Sequence, residues 1–518
     1  MDAFSPSSIL LLLLLPILSS LFLFIWKRKN TVIYSPNFRP YPFVGHLPQF
    51  LANRHRIVEW VTEVLAEAPN NTVFLQRLGI RGILTANPAN VEHILRTHFE
   101  NYPKGERFSA NLHDFLGTGI FNADGETWRV QRKTASFEFN TRTLRSFVVQ
   151  CVHQEIQTRL LPLLARASAT SRVIDIQDVL ERFAFDNVCK VSFDLDPGCL
   201  DPELEKGKVQ DEKVSSFTTT FAEAFRNATY LSAQRFRYAI PKLWKIKKLL
   251  DIGSESRLRE SISTVHEFAD QIIRSRKKEK QTDEKHDLLS RFVASSDNYS
   301  DKFLRDIVIS FLLAGRETTS SALSWFFWIL SSRPDVEAKI LDEIRSVRAK
   351  NGNSETCTYE FEELKEMHYL HAAISESMRL YPPVPLNSAH AMKDDVLPDG
   401  TQIKEGWFIS YNSYAMGRMD ANWGKDCMEY RPERWIDAEG TFRQESPFKF
   451  TAFHAGPRMC LGKEMAYIQM KSVVASILDR FVLKVEGNGR CPEKVVSLTL
   501  RMKDGLPVRV RERNCYKT

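Results

Sequence analysis

The chain has 518 residues, of which 43% are hydrophobic and 11% aromatic, enough to bury a large core. Its formal net charge of +7 is modest for this length and too diffuse to indicate a nucleic-acid-binding protein. Eight cysteines without C-x-x-C spacing give no disulfide or zinc framework and suit a reduced, cytosol-facing protein. Length alone would allow about three domains, but no linker or repeat divides the chain after residue 50.

Residues 9–26 form an apolar run without charge, about the minimum length for a membrane span. Three basic residues follow at once, whereas only Asp2 precedes the run. By the positive-inside rule, the N-terminus is lumenal and everything after residue 29 is cytosolic. A cleaved signal peptide is the alternative, but the basic residues stand on the wrong side and no small-residue cleavage site follows. We therefore predict a membrane anchor at residues 1–29.

Residues 30–50 are rich in proline, which predicts a stiff, non-helical hinge. Residues 55–69 read as a short amphipathic helix, 72–86 as strand with a glycine turn, and 89–97 as helix. Residues 101–124 carry three glycines and little periodicity, so we predict a loop there.

The sequence WRVQR at residues 128–132 reads as helix. Trp128 and Arg132 are four residues apart and therefore share one helical face. An indole N–H and a guanidinium on one face can clamp a carboxylate.

Residues 239–250, AIPKLWKIKKLL, combine a tryptophan and leucines with four lysines. Such a basic amphipathic segment indicates contact with a membrane surface. A solvated helix face is the alternative. Residues 274–280 read as a solvated loop.

Residues 301–332 are the longest uninterrupted helical pattern and stop before Pro334. The sequence AGRETT lies in its middle, at residues 314–319. Glycine and threonine are poor choices inside a helix, and such departures mark functional sites. The Thr318 hydroxyl can bond the carbonyl four residues earlier and open a groove for dioxygen and water. A mere helix kink is the alternative.

The sequence ESMRLYPP begins with Glu376 and Arg379, three residues apart on one helix face. Arg434, in the sequence PERW, is the expected third partner. A buried charged network of this kind must be fully satisfied or it is costly.

The sequence FHAGPRMCLG, residues 453–462, places Cys460 in a loop before an apolar helical run. Surrounding backbone N–H groups and the helix N-terminus should stabilise the thiolate, which is a strong axial donor for haem iron. A buried free cysteine is the alternative for this residue taken alone.

These motifs resemble those of the cytochrome P450 monooxygenases: F-x-x-G-x-R-x-C-x-G, W-x-x-x-R, A/G-G-x-D/E-T-T and E-x-x-R stand in the family's order. The resemblance covers nearly the whole chain. It implies a mainly α fold with small β-sheets (α+β) and one catalytic domain over residues 51–518, preceded by the hinge and a single transmembrane helix. It also implies haem b, and electrons from NADPH through a flavoprotein reductase.

The same resemblance assigns roles to individual residues. Thr318 and Glu317 would deliver protons to dioxygen, with Ala314 and Gly315 bordering substrate and oxygen. His390 stands where many relatives bind a propionate, although a surface histidine is the alternative. The other implied haem contacts are Cys460 as the iron ligand, Arg458, Trp128 and Arg132 on the propionates, and the loop positions Phe453 and Gly456.

Two further sets follow from the resemblance. The network of Glu376, Arg379 and Arg434 would lock the core behind the haem. Residues 101–124 would form part of the substrate wall, where each candidate contact could equally be a core residue. These candidates are Phe108, Leu112, Phe115 and Leu116.

The stretches FLGTGIFNADGETW, LAGRETTSSALSWFFW, ESMRLYPPVP and YAMGRMDANWG look like plant enzymes that hydroxylate fatty acids at the terminal (ω) carbon. A neighbouring branch oxidises the hormone conjugate jasmonoyl-isoleucine. We favour fatty-acid ω-hydroxylation at the cytosolic side of the endoplasmic reticulum membrane, with conjugate oxidation as the alternative. A non-catalytic binding protein would be expected to lose Cys460 or Thr318, and both are present.

Overall fold

The computed structural model describes residues 38–139, 142–201, 212–279, 287–295, 299–351, 358–487 and 489–513. Helices predominate in this part of the chain. They are α1 (Leu47–Asn53), α2 (Ile57–Glu67), α3 (Pro88–Glu92), α4 (Gly105–Leu116), α5 (Gly125–Phe139), α6 (Arg142–Glu155), α7 (Leu161–Ala169), α8 (Ile176–Phe193), α9 (Glu212–Gln234), α10 (Leu243–Leu249), α11 (Ser254–Glu279), α12 (Leu288–Ser295), α13 (Asp301–Leu330), α14 (Pro334–Asn351), α15 (Phe361–Glu366), α16 (His368–Leu380), α17 (Ser413–Met416), α18 (Asp420–Trp423) and α19 (Lys463–Arg480).

The strands form four small sheets. The strands are β1 (Thr72–Arg77), β2 (Ile80–Thr85), β3 (Val173–Asp175), β4 (Asn387–His390), β5 (Asp395–Val396), β6 (Gln402–Ile403), β7 (Phe408–Tyr411), β8 (Phe481–Val485), β9 (Lys494–Val496), β10 (Leu500–Met502) and β11 (Pro507–Glu512). A four-stranded sheet has the order β1-β2-β7-β4, a three-stranded sheet the order β3-β11-β8, and β5-β6 and β9-β10 are two-stranded. Strands β2 and β7 are parallel, and the other pairs are antiparallel.

Helix α13 runs through the middle of the largest hydrophobic core and packs against α8, α11, α16 and α19. Ser300 caps it, because its hydroxyl oxygen accepts a hydrogen bond from the Phe303 N–H at 3.2 Å. At about 1.5 Å per residue, the 30 residues span about 45 Å. The predicted helix over residues 301–332 is thus confirmed, except for its last two residues. A second core lies between the four-stranded sheet and α2.

Two predicted loops are wrong. Residues 101–124 contain α4, which buries Leu112, Phe115 and Leu116 on one face, at the helical spacing i, i+3, i+4. The glycines flank this helix: Gly105 starts it and Gly117 ends it, both at positive φ. Residues 274–279 continue α11 rather than forming a loop, because the helix is anchored by its buried apolar face.

The predicted anchor, residues 1–29, lies outside the described residues. No helix in the described part of the chain is both long and apolar enough to cross a bilayer. The predicted hinge is described only from residue 38 onward, and its last part is helical. Helix α1 begins at Leu47, with Pro48 in its first turn, where a proline without an N–H costs no intrahelical bond.

Candidate active site

The loop before α19 presents the Cys460 thiol. The Cys460 N–H donates to the Phe453 carbonyl at 2.8 Å, which closes the loop on itself. Gly456 has a φ of +65°, and a Cβ there would lie 2.0 Å from the Leu95 carbonyl oxygen. Glycine is therefore required at 456 by the neighbouring backbone as well as by its own conformation. His454 also has positive φ, and a 2.7 Å hydrogen bond joins its Nε2 to the Tyr411 hydroxyl.

The Cys460 side chain is solvent-accessible although protein surrounds it, so the thiol borders an internal space. Burial raises the pKa of this thiol, while the Gly462 N–H, Arg132 and Lys463 act to lower it. The polypeptide alone thus favours the neutral thiol, contrary to the expectation that the loop and helix N-terminus would stabilise a thiolate. A coordinating metal deprotonates a thiol outright, so the site suits a metal ligand rather than a free nucleophile.

Three desolvated cations lie beside this loop. Burial and, to a lesser degree, the nearby Arg458 lower the pKa of Lys104 to about 7, although Asp124 acts to raise it. Burial also lowers the pKa of Arg132 and of Arg458. Buried positive groups of this kind are costly unless an anion pairs with them. The cluster therefore indicates an anionic ligand in the internal space.

Trp128 and His390 also lie beside this cluster of cations. The Arg458 guanidinium lies 4.5 Å from the centre of the Trp128 ring and donates to Asp124 Oδ1 at 2.6 Å. Asp124 Oδ2 accepts from the N–H of Gly105 at 2.9 Å, and Gly105 packs directly on the His390 side chain. The half-buried His390 therefore lies next to the cationic cluster rather than alone on the surface.

The predicted charged network is present and more complete than expected. Arg379 donates to both Glu376 oxygens, at 2.7 and 2.8 Å, and Arg434 Nε donates to Glu376 Oε1 at 3.0 Å. Trp435 Nε1 donates to Oε2 at 2.8 Å, and the Arg431 N–H donates to Oε1 at 2.9 Å. The Trp in PERW thus has a specific role, because its indole adds a further N–H donor to this buried carboxylate.

The middle of α13 behaves as the sequence indicated. Thr318 Oγ1 donates to the Ala314 carbonyl, four residues earlier, at 2.6 Å. Ala314 is exposed and Thr318 partly exposed, although the helix around them is buried. This stretch therefore opens into an internal space.

The family comparison agrees with this geometry. The cytochrome P450 family model matches residues 35–505. The chain is 51% identical over 472 residues to cytochrome P450 CYP94D108 of Paris polyphylla, which covers 91% of each chain. It is 45% identical to cytochrome P450 94B1 of Arabidopsis thaliana over 523 residues, which covers 97% of each chain. The chain belongs to the cytochrome P450 family.

Two further comparisons extend this cytochrome P450 assignment. Cytochrome P450 94A1 of Vicia sativa is 44% identical over 495 residues, covering 94% of this chain and 92% of that protein. The solved heme domain of cytochrome P450DA superposes with a TM-score of 0.76 at 20% identity, covering 94% of this chain and 99% of that chain. The latter match shows that the cytochrome P450 fold is shared.

The residues of this cytochrome P450 fit the haem b that its family and fold imply. Cys460 presents an accessible sulfur in an internal space and would hold the haem iron. The desolvated Lys104, Arg132 and Arg458, with Trp128, would hold the two propionates. Lys104 was missed at the sequence level. The signal was the sequence YPKG, in which a lysine directly precedes a helix-starting glycine.

Gly315 and Glu317 have surroundings that the sequence did not indicate. A Cβ at Gly315 would lie 2.4 Å from Val188 Cγ2 of α8, so this glycine is required by helix packing. The Glu317 carboxylate is buried and accepts from Arg316 Nη1 at 2.8 Å and Thr499 Oγ1 at 3.0 Å. Glu317 nevertheless borders a cavity of about 590 Å³.

Most of the candidate substrate contacts are core residues. Leu112, Phe115 and Leu116 are at most 1% exposed and belong to the large core, where Phe115 packs edge-on against Phe225. Phe108 is half-buried beside Phe236, with ring centres 5.7 Å apart. Of the four candidates, Phe108 is therefore the one with accessible surface for a substrate.

Proposed function

We propose that this cytochrome P450 hydroxylates fatty acids at the terminal carbon, with electrons delivered from NADPH by a flavoprotein reductase. The observation that carries the proposal is the cavity bordered by Glu317, the neighbour of Thr318. Six basic and two acidic side chains line it, and four of the six cations already pair with carboxylates, which leaves Arg54 and Arg237 to receive a substrate carboxylate. The cations on this wall are Arg54, Arg226, Arg237, Lys494, Arg501 and Lys503.

A carboxylate held at a basic wall supports selectivity for the far end of the chain. Internal methylenes are intrinsically easier to oxidise than a terminal methyl group, so the enzyme must choose by position. Fixing the head group at one end of the site limits which carbon can reach the reacting centre. Phe108, half-buried against the large core and beside Phe236, would offer apolar surface to the hydrocarbon chain.

The cofactor and the side chains of the site would have separate roles in the reaction. When bound, the haem supplies the activation of dioxygen and the insertion of one oxygen atom into a C–H bond. Cys460 would hold the haem iron through its sulfur. Thr318 Oγ1 donates its hydrogen to the Ala314 carbonyl, so its lone pairs are open to accept a hydrogen bond from a water molecule. Glu317, at the basic cavity, would hold and pass on protons that enter from solvent.

Reconstitution with a plant reductase and NADPH tests the substrate class. The enzyme is incubated with medium- and long-chain fatty acids and, separately, with jasmonoyl-isoleucine, and products are located by mass spectrometry. Terminal alcohols from the fatty acids would support the proposal. Oxidation of the conjugate with little fatty-acid turnover would assign the enzyme to hormone catabolism instead.

Arg54 offers a test of the carboxylate contact, because it is exposed and its replacement leaves the core intact. We expect Arg54→Gln to raise KM for the free acid about tenfold, the loss of one charged hydrogen bond, and to leave the methyl ester unaffected. Lys245→Gln, a lysine outside the cavity, is the matched control. An equal effect on acid and ester would exclude a head-group contact.

We also propose that the enzyme is held at the endoplasmic reticulum membrane by residues 1–29 and rests on the bilayer through α10. Apolar residues on and beside this helix are exposed, with Leu249 at 85%, Leu250 at 59% and Ile246 at 57%. Lysines interleave with them, as in interfacial helices. Trp244 is not part of this surface, because it is buried beneath the Arg235 guanidinium.

Vesicle flotation tests the second contact. A chain lacking residues 1–29 should still float with anionic vesicles. The double variant Leu249→Ser, Leu250→Ser should reduce that binding, because it removes exposed apolar area. Met428→Ser, at a residue that is 65% exposed elsewhere, is the control. Equal flotation of the three truncated proteins would contradict the contact.

A further inference from the structure

A cluster of two histidines and an aspartate lies outside the haem site. His93 and His98 flank the turn after α3, and Asp395 belongs to β5, about 300 residues further along the chain. His93 Nε2 and His98 Nδ1 lie 2.9 and 3.0 Å from Asp395 Oδ2, and 2.6 Å from each other. Three potential metal-ligand atoms thus meet at one point.

The local backbone is what brings the two histidines together. Residues His93–Thr97 form a π-helical turn, closed by a 2.8 Å hydrogen bond from the His98 N–H to the His93 carbonyl. On an α-helix, residues five apart point about 140° away from each other. The i→i+5 bond instead places His98 next to His93. Single π turns are rare and concentrate at functional sites.

No placement of hydrogens on the two imidazole rings turns all three of these close contacts into hydrogen bonds. If both ring nitrogens carry hydrogen, two N–H donors face each other across 2.6 Å. If only one does, the bare nitrogen of the other ring faces the lone pairs of the aspartate oxygen. A cation between the three atoms removes this conflict, because all three lone pairs then point at a positive charge.

Asp395 is well prepared for a ligand role. The Tyr102 hydroxyl donates to Oδ2 at 2.7 Å and the Val396 N–H donates to Oδ1 at 2.8 Å. Such outer contacts are what orient metal-binding carboxylates.

We infer that His93, His98 and Asp395 form a binding site for a divalent transition metal of the zinc class. Two imidazoles and one carboxylate, with a fourth position open to water, are a common zinc donor set. An ion about 2.0–2.1 Å from each atom would sit about 1.2 Å above the plane of the three. His98, whose side chain is 46% exposed, leaves that side open to solvent.

The site would brace the wall behind the haem loop. Leu95, within the π turn, is the residue whose carbonyl contacts Gly456. An ion bound by His93, His98 and Asp395 would link this turn to β5, and none of its three protein ligands would come from the Cys460 loop. Because the ion binds the folded state, it should also raise the thermal midpoint.

Zinc titration of the untagged, haem-loaded chain tests the inference. The protein is first stripped of metal with EDTA and desalted. Zn²⁺ is then added, its affinity is measured by calorimetry, and the bound zinc per haem is measured by atomic absorption. We expect one Zn²⁺ per chain and a zinc-dependent rise in the thermal midpoint. His98→Ala and Asp395→Asn should each weaken zinc binding at least about tenfold. His113→Ala, at an exposed histidine of α4 outside the cluster, should bind as the unaltered chain does.

Two results would overturn the inference. Equal zinc uptake by the unaltered chain and by His98→Ala would show adventitious surface binding. An absence of saturable binding by the unaltered chain would leave the cluster as a hydrogen-bonded clasp between the π turn and β5. Haem content, read from absorbance in every sample, confirms that each variant is folded.

Discussion

Glu376 shows how one buried charge can order several elements. Its two oxygens accept five N–H donors, from Arg379, Arg434, Trp435 and Arg431. Arg379 extends the network, with Nη1 donating to the Cys427 carbonyl at 2.6 Å and Nη2 to the Glu429 carbonyl at 2.9 Å. The carboxylate thereby joins α16 to residues 427–435 at zero exposure.

Glu376→Ala is expected to abolish haem incorporation. Removing the carboxylate leaves Arg379 buried without its anion, which costs about 3–5 kcal/mol. Haem per protein, measured by absorbance after expression, checks this. Glu433→Gln is the matched control, because its ion pair with Lys339 is largely exposed and worth at most about 1 kcal/mol. Normal haem content in Glu376→Ala would contradict the assigned role of the network.

Trp435→Phe tests the unexpected donor. The change removes the hydrogen bond to Glu376 Oε2 while keeping an aromatic ring, so stability should fall by about 1.5–3 kcal/mol, the range for hydrogen bonds to charged groups. Trp423→Phe in the same cluster loses a bond to the neutral Met416 carbonyl and should cost less, about 0.5–1.5 kcal/mol. Thermal unfolding followed by haem absorbance compares the two. Equal losses would show that the indole contributes only by packing.

At the scale of the element, α13 combines two departures from regular helix chemistry with separate causes. Gly315 allows the close approach of α8, and Thr318 opens the helix surface by bonding Ala314. The first departure is explained by packing, and the second leaves Thr318 placed for the proposed proton delivery.

The variant Thr318→Ala should still bind haem but should form less product. Without the hydroxyl, proton delivery is impaired, and we expect the product formed per NADPH consumed to fall at least about tenfold. Thr318→Ser keeps the hydroxyl and should retain most of the coupling. The measurement is the ratio of alcohol formed to NADPH oxidised. Unchanged coupling in Thr318→Ala would reduce Thr318 to a helix-shape residue.

Gly456→Ala should destabilise the Cys460 loop. The added Cβ would meet the Leu95 carbonyl at 2.0 Å, and the positive φ adds about 1–2 kcal/mol. We expect faster haem loss, followed by transfer of haem to apomyoglobin. Gly440→Ala separates the two causes, because Gly440 also has positive φ but no atom lies within 4 Å of the added Cβ. Equal rates for the two variants would show that backbone strain alone matters.

For the whole molecule, buried neutral histidines predict a loss of stability in acid. Burial lowers the pKa of His46 to about 4 and that of His454 to about 3. Between about pH 6.5 and pH 4, the unfolded chain therefore binds more protons than the folded one, and stability falls as the pH falls. Each such group contributes up to about 1.4 kcal/mol per pH unit.

His46→Gln tests this contribution. Glutamine keeps an acceptor for the Gln76 N–H, which now donates to His46 Nδ1 at 3.1 Å, but it cannot take a proton. The thermal midpoint should therefore drop less steeply below about pH 6.5 than in the unaltered chain. His55→Gln, at an exposed position, should leave the pH dependence unchanged. Parallel pH profiles for all three chains would contradict the assigned pKa.

The sequence by itself determined the family, the Cys460 loop, the Glu376–Arg379–Arg434 network and the extent of α13, because each depends on residue types at short, fixed spacings. The glycines at residues 101–124 led to a wrong loop prediction, because they only flank α4, which is stabilised by its buried face. Lys104, Trp435, the packing role of Gly315 and the His93–His98–Asp395 cluster were decided by tertiary structure. Each depends on a contact between segments far apart in the chain, and the spacing of residues within one segment does not indicate which distant segment will pack against it.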